Sequence, residues 1–299
     1  MSANGRSLNT FLFKDVRLKL SVVLFISSLQ LNAQQYAGPT STALGGTGRA
    51  NFDNSESLFI NPATLVLAPA MSVNLYYQEG ESLADYHSTS MGLSAVDNSP
   101  DILVPGGLAY VKGRDHFSGS SPIEFELFHL GVAGYFYKTM SLGLSLYQLT
   151  KNSDSGASST QYNGSLGYLF YHGSFFYGLV YDNLIQTAAS VPVEHREVSK
   201  VSIGFQYLWG KLMAYRLDIQ KPTEDNPEGK SITMIGLNSL SGDWFHFRAG
   251  YRIDDIIGKN YWSLGFLFDG PRLKMDYALK KQLDSAAGAL HSVDFRFSF

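Results

Sequence analysis

From residue 71 onward, apolar and polar residues change places at almost every step. In Met71-Ser72-Val73-Asn74-Leu75-Tyr76-Tyr77-Gln78 the odd positions are apolar and the even ones largely polar. Side chains of an extended chain point alternately to its two sides, so this period marks strands with one apolar and one polar face. The pattern returns at Leu142, Leu144 and Leu146 against Ser and Gly, and at Val201 to Tyr207 against Ser202, Gly204 and Gln206. It returns again at Tyr215, Leu217 and Ile219 against Arg216, Asp218 and Gln220, and at Trp262 to Phe268 against Ser263, Gly265 and Asp269. Fourteen segments are predicted, near 70–79, 85–96, 104–113, 123–138, 141–151, 160–171, 174–185, 197–209, 211–221, 230–240, 243–253, 260–269, 272–281 and 288–299. Each approximates the ~9–11 residues of a tilted membrane strand. Pro105, Gly106 and Gly107 interrupt the third segment. The tenth slips register between Met234 and Ile235, as a bulge would make it do.

Counted back from the C-terminus, the connections alternate between long and short; Asp97 to Leu103 is the exception. A barrel with short periplasmic turns and longer outer loops separates its connections by parity in this way, and a soluble sandwich has no reason to. The last segment places Val293, Phe295, Phe297 and Phe299 on one face and Ser292, Asp294, Arg296 and Ser298 on the other. The expected architecture is all-β: a closed antiparallel transmembrane barrel of about fourteen strands, 70–299. Closure pairs the first strand with the last, because every backbone amide in lipid needs a partner. An even strand count puts both ends of the barrel on the periplasmic side.

Composition agrees. Charged residues make up 16% of the chain and aromatics 14%, and after the N-terminus no apolar run reaches the ~18 residues of a helical span. A net charge of −3 gives no electrostatic case for nucleic acid. The chain has no cysteine, which excludes disulfides and thiolate metal sites. Residues 1–33 read as an export signal. Arg6, Lys14, Arg17 and Lys19 form its basic part, Leu20 to Leu31 its apolar part, and Leu31-Asn32-Ala33 a cleavage site before Gln34.

Between that signal and the strands lies Thr42 to Leu65, which fits neither strand nor helix. Gly45, Gly46 and Gly48 free the backbone for turns, Asp53, Asn54, Ser55 and Glu56 are polar, and Asn61-Pro62 starts a new turn. Residues 34–69 are expected to form a plug or hatch in the lumen. Its polar groups, Asp53, Asn54, Ser55, Glu56 and Asn61, are within reach of Arg216, Arg248 or Arg252 for charge-assisted bonds. It either caps the pore passively or moves to control passage.

Ala43-Leu-Gly-Gly-Thr-Gly48, Asp53-Asn-Ser-Glu-Ser-Leu-Phe59 and Asn61-Pro62-Ala63 resemble the N-terminal signature of the FadL-like outer-membrane proteins and the related PorV-like barrels. Gly178 to Leu184, Arg248 to Tyr251 and Asp276 to Ala278 are similar to strand signatures of that group. The resemblance implies a fourteen-stranded barrel with an N-terminal hatch, and uptake of hydrophobic, fatty-acid-like small molecules through a lateral gap. It also implies that the terminal strand, with Phe295, Phe297 and Phe299, is the signal read by the barrel assembly machinery. The chain is much shorter than the fatty-acid transporters and its outer loops are small. That favours the PorV-like members, some of which support protein secretion or surface attachment instead of import.

No metal, nucleophile-elbow or phosphate-loop motif is present, and no cofactor is expected. An outer-membrane enzyme would have to use His129 and His246, with a nucleophile or carboxylate in reach. The charged residues of the polar faces, Arg216, Asp218, His246, Arg248, Arg252, Lys274, Asp276, Lys280, Asp294 and Arg296, are expected to fill the lumen. Lys274 and Asp276 would pair across strands with Asp294 and Arg296. Tyr207, Trp209, Trp244, Tyr261 and Trp262 are expected at the membrane interfaces. Expected partners are outer-membrane lipid, the assembly machinery and a hydrophobic ligand, with the barrel a monomer.

Overall fold

A computed structural model describes residues 37–51, 56–68, 70–83, 86–117, 121–192, 195–224, 226, 228–241, 244–283 and 288–299. The export signal, its cleavage site, and Asp53, Asn54 and Ser55 lie outside the described residues. Fourteen strands follow one another: β1 Ser72–Leu83, β2 Tyr86–Asp97, β3 Gly106–Phe117, β4 Ile123–Tyr137, β5 Met140–Ser153, β6 Ser158–His172, β7 Phe175–Asp182, β8 Lys200–Trp209, β9 Met213–Pro222, β10 Ile232–Ser241, β11 Phe245–Asp254, β12 Lys259–Asp269, β13 Leu273–Gln282 and β14 Ala289–Ser298. Each pairs antiparallel with its chain neighbours, and β1 closes on β14 from Ser72↔Ser298 to Gly80↔Leu290. Closure leaves no open sheet edge.

The two faces sort as the alternation requires. Leu75, Leu130, Leu144, Ile203, Leu217, Phe247 and Leu264 stand exposed on the outside, while Asn74, Ser145, Gln206, Arg216, Asp218, Arg248 and Asp276 are buried inside. An exposed apolar band running round the whole wall is far larger than a soluble surface carries. Phe295, Phe297 and Phe299 belong to this outer face.

Inside the wall lie residues 37–51 and 56–68. They are not featureless coil. Two short helices, α1 Pro39–Ala43 and α2 Ser57–Ile60, and a 3-10 helix Pro62–Leu67 occupy them, nearly all buried. Pro39 and Pro62 open two of these elements, where a missing N–H costs nothing. Elements this short have no readable helical period.

Two other expectations change. β10 has no slip, and its ladders to β9 and β11 are continuous. Its inward residues Ile232 and Met234 are buried, and the Met234 sulfur lies 3.5 Å from the Arg49 guanidinium of the inner segment. The interruption at Pro105 is the end of a connection, and β3 begins at Gly106. The longest connection is 183–199, between β7 and β8.

Candidate functional site in the lumen

The wall receives the inner segment on glycines. Gly107 faces Gly131 across β3–β4, Gly143 faces Gly167 across β5–β6, Gly178 faces Gly204 across β7–β8, and Gly236 faces Gly250 across β10–β11. A Cβ on Gly143 would collide with Pro62 and Ala63, and one on Gly167 with Asn61 Oδ1. On Gly178 it would meet the backbone of Arg49, on Gly250 the backbone of Leu44 and Gly45, and on Gly131 the Leu58 side chain at 2.6 Å. The segment therefore packs backbone to backbone against the wall, at a level where side chains would exclude it.

On β9, where that level carries no glycine, a carboxylate takes over. Asp218 accepts from the amides of Gly48 at 2.8 Å and Arg49 at 2.9 Å, and lies 3.5 Å from the Arg49 guanidinium. Asp276 on β13 accepts from Thr40 Oγ1 at 2.7 Å and from the Arg248 guanidinium. Ser263 Oγ accepts from Gly45 N and donates to Ala43 O. Asn61, fully buried, donates to Arg49 O at 2.6 Å and Tyr168 O at 3.2 Å while accepting from Ala63 N. Gly45 and Gly46, at φ +72° and +99°, make the turn that aims these amides.

Of the expected pinning of plug residues by wall arginines, the part at Glu56 is corrected by this geometry; Asp53, Asn54 and Ser55 lie outside the described residues. Arg248 serves Asp276, and Arg252 serves Asp254 at 2.7 Å. Glu56 instead accepts from the amides of Thr40 at 2.8 Å and Ser41 at 3.1 Å, and so joins the two halves of the segment. The physical reason is that a helix's first amides point their hydrogens outward at an acceptor. Burial pushes the Glu56 carboxyl up to about 7; bonds from Ser41 oppose this and Asp276 adds to it.

The cross-strand pairs on β13 and β14 are corrected too. Register sets Lys274 opposite Arg296 and Asp276 opposite Asp294. Lys274 turns to Asp269 at 2.7 Å, which also lies 3.6 Å from His246 Nε2. Arg296 lies 3.9 Å from Asp294 on its own strand. Of the aromatic residues expected at the interfaces, Trp209 and Trp244 are exposed at one end. Tyr261 is buried in the lumen beneath Lys280, whose Nζ lies 5.4 Å from its ring.

The lumen has two unlike halves. β9, β11, β13 and β14 present Arg216, Asp218, Arg248, Asp276, Asp294 and Arg296, all buried. β2 to β5 present Val96, Ala109, Val111, Leu127, Ala133, Tyr147 and Leu149, packed with Leu58, Phe59 and Leu65 of the inner segment. Tyr147 and Leu149 fall on the face that Ser141, Gly143 and Ser145 mark as polar, so the strand pattern does not announce this half. His129 belongs to it, between Phe59 and Tyr147 with ring centroids 5.2 and 5.5 Å away. It is not brought together with His246, which lies on β11.

The end of the 183–199 connection, His195 to Ser199, turns inward over β5 and β6. Lys151 Nζ donates to Glu197 Oε1 at 2.7 Å and to His195 O at 3.3 Å, and Gln161 Nε2 donates to His195 O at 2.7 Å. His195 Nδ1 lies 2.9 Å from Ser159 Oγ. Tyr147 donates its hydroxyl to Asn183 Oδ1, tying the apolar half to this connection.

Fold and lumen together define a closed fourteen-stranded barrel that encloses part of its own N-terminal segment. Solved structures share it. A structure titled "CymD monoaromatic hydrocarbon channel" superposes with a TM-score of 0.73 at 14% identity, covering 88% of this chain and 97% of that one. The Ralstonia pickettii toluene transporter TbuX gives 0.69 at 12%, covering 89% and 99%. A Pseudomonas aeruginosa FadL homologue gives 0.59 at 10%, covering 88% and 98%. The chain thus has the fold of FadL-like barrels. No protein-family model and no curated protein matches its sequence.

Proposed function

We propose that this chain is an outer-membrane barrel that passes small hydrophobic molecules, and that the segment 34–69 is the plug controlling their passage. The observation that carries the reading is the apolar half of the lumen. Val111, Leu127, Tyr147 and Leu149 turn inward against Leu58 and Phe59, so moving the segment would uncover an apolar wall suited to a hydrophobic solute. The shared fold with structures titled as hydrocarbon channels and a toluene transporter supports the same substrate class. Under this reading residues 1–33 are removed at export near Ala33, the barrel is a monomer in outer-membrane lipid, and Phe295, Phe297 and Phe299 present the strand that the assembly machinery takes up. It is a conduit with no catalytic role. Uptake of a hydrophobic probe such as toluene into vesicles holding the purified barrel tests this. Deleting Gly45 to Asn61 should change the uptake rate, and a rate identical to protein-free vesicles with either form would overturn the reading.

A further inference from the structure

His129 is 2% exposed, and neither ring nitrogen has a hydrogen-bond partner among the described residues. A neutral imidazole carries one donor and one acceptor, and leaving both unmet in an apolar interior is costly. Its neighbours are aromatic and stand edge-on: Phe59 at 5.2 Å and Tyr147 at 5.5 Å, with Tyr76 completing the cluster 6.2 Å from Phe59. Tyr76, His129 and Tyr147 belong to the wall. Phe59 belongs to the inner segment.

We propose that Tyr76, His129 and Tyr147 form a binding cage for a neutral single-ring aromatic bearing one hydroxyl, a phenol, and that Phe59 occupies the ring position until such a ligand displaces it. This rests on the reading that small hydrophobic molecules enter the lumen. The ring matches because Phe59, a single six-membered ring, already fits there. The hydroxyl matches because it both donates and accepts, so it pairs with His129 in either tautomer; a plain hydrocarbon would leave the imidazole unmet. A carboxylate does not match, because Arg216, Arg248 and Arg296 belong to the opposite half of the lumen and Lys151 on β5 is already paired with Glu197 at 2.7 Å. Displacing Phe59 moves α2, so ligand binding and the position of the inner segment are coupled.

Affinities of phenol, toluene and benzoate for the purified full barrel in detergent test the cage. Phenol is expected to bind roughly tenfold tighter than toluene, the ratio one added hydrogen bond gives, and benzoate more weakly than either. His129→Phe should bring the phenol-to-toluene ratio to about one. His129→Leu serves if that variant loses the heat-modifiable mobility of a folded barrel. Phe59→Ala should tighten both phenol and toluene by removing the internal competitor. Equal affinities in the wild type, a ratio unchanged by either His129 variant, or affinities unmoved by Phe59→Ala would overturn the cage. Toluene uptake by vesicles without a phenol preference overturns the cage and leaves transport standing. A phenol preference without uptake supports the cage and counts against transport.

Discussion

Glu56 and Asp218 each hold the inner segment by accepting from two of its amides. Glu56 is a carboxyl for which burial outweighs its amide donors, so it titrates near 7 against an ordinary 4.5. The enclosed state therefore keeps its proton to higher pH than the released state does. Its contribution is fully present below about 4.5 and is lost as pH rises through about 7. Protease access to residues around 37–51 should rise between about pH 5 and 8, and Glu56→Gln should flatten that rise. Asp218 answers two amides and a guanidinium from one position. Asp218→Ala leaves Arg49 as a buried cation without its carboxylate, at a cost of ~3–5 kcal/mol. Amide exchange over 45–50 should accelerate roughly a hundredfold or more, while exchange in β9 stays slow.

Strands and their partners were legible because one face of each meets lipid. That face tolerates only apolar residues, so Leu142, Leu144 and Leu146 or Tyr215, Leu217 and Ile219 declare the period on their own. The inward face obeys no such rule. It must fit the inner segment, and it does so with glycine, arginine, leucine or tyrosine as each position demands. Met234 looked like a slipped register for this reason, and Tyr261 like an interfacial aromatic. The glycines were visible as residues, but their pairing emerges only from register: Gly143 and Gly167 are far apart in sequence and directly opposed in the wall. Gly143→Val should leave the barrel closed and heat-modifiable while displacing Asn61-Pro62-Ala63. Since the chain has no cysteine, Thr64→Cys supplies a probe at a site 1% exposed. Its thiol should be sluggish toward a water-soluble reagent in the wild-type background and reactive beside Gly143→Val. Slow labelling in both would mean that the glycine pairs do not seat the segment.

At the scale of the molecule, the barrel is a wall of uniform exterior around a divided interior. Ions gather on β9, β11, β13 and β14, where they answer one another and the segment's amides. Apolar side chains gather on β2 to β5, packed against Leu58 and Phe59 of α2. The paired glycines bear on how quickly such an interior can open. A constriction made of side chains yields by rotamer flips, which take picoseconds to nanoseconds. At the glycine pairs there is no side chain on the wall to swing aside, and the obstacle is main chain held by several bonds at once. Opening there is a collective displacement on the scale of microseconds to milliseconds. Under the proposed function each opening would be a discrete event, and flux through the barrel would be set by how often the segment leaves its seat more than by how fast a solute diffuses past it.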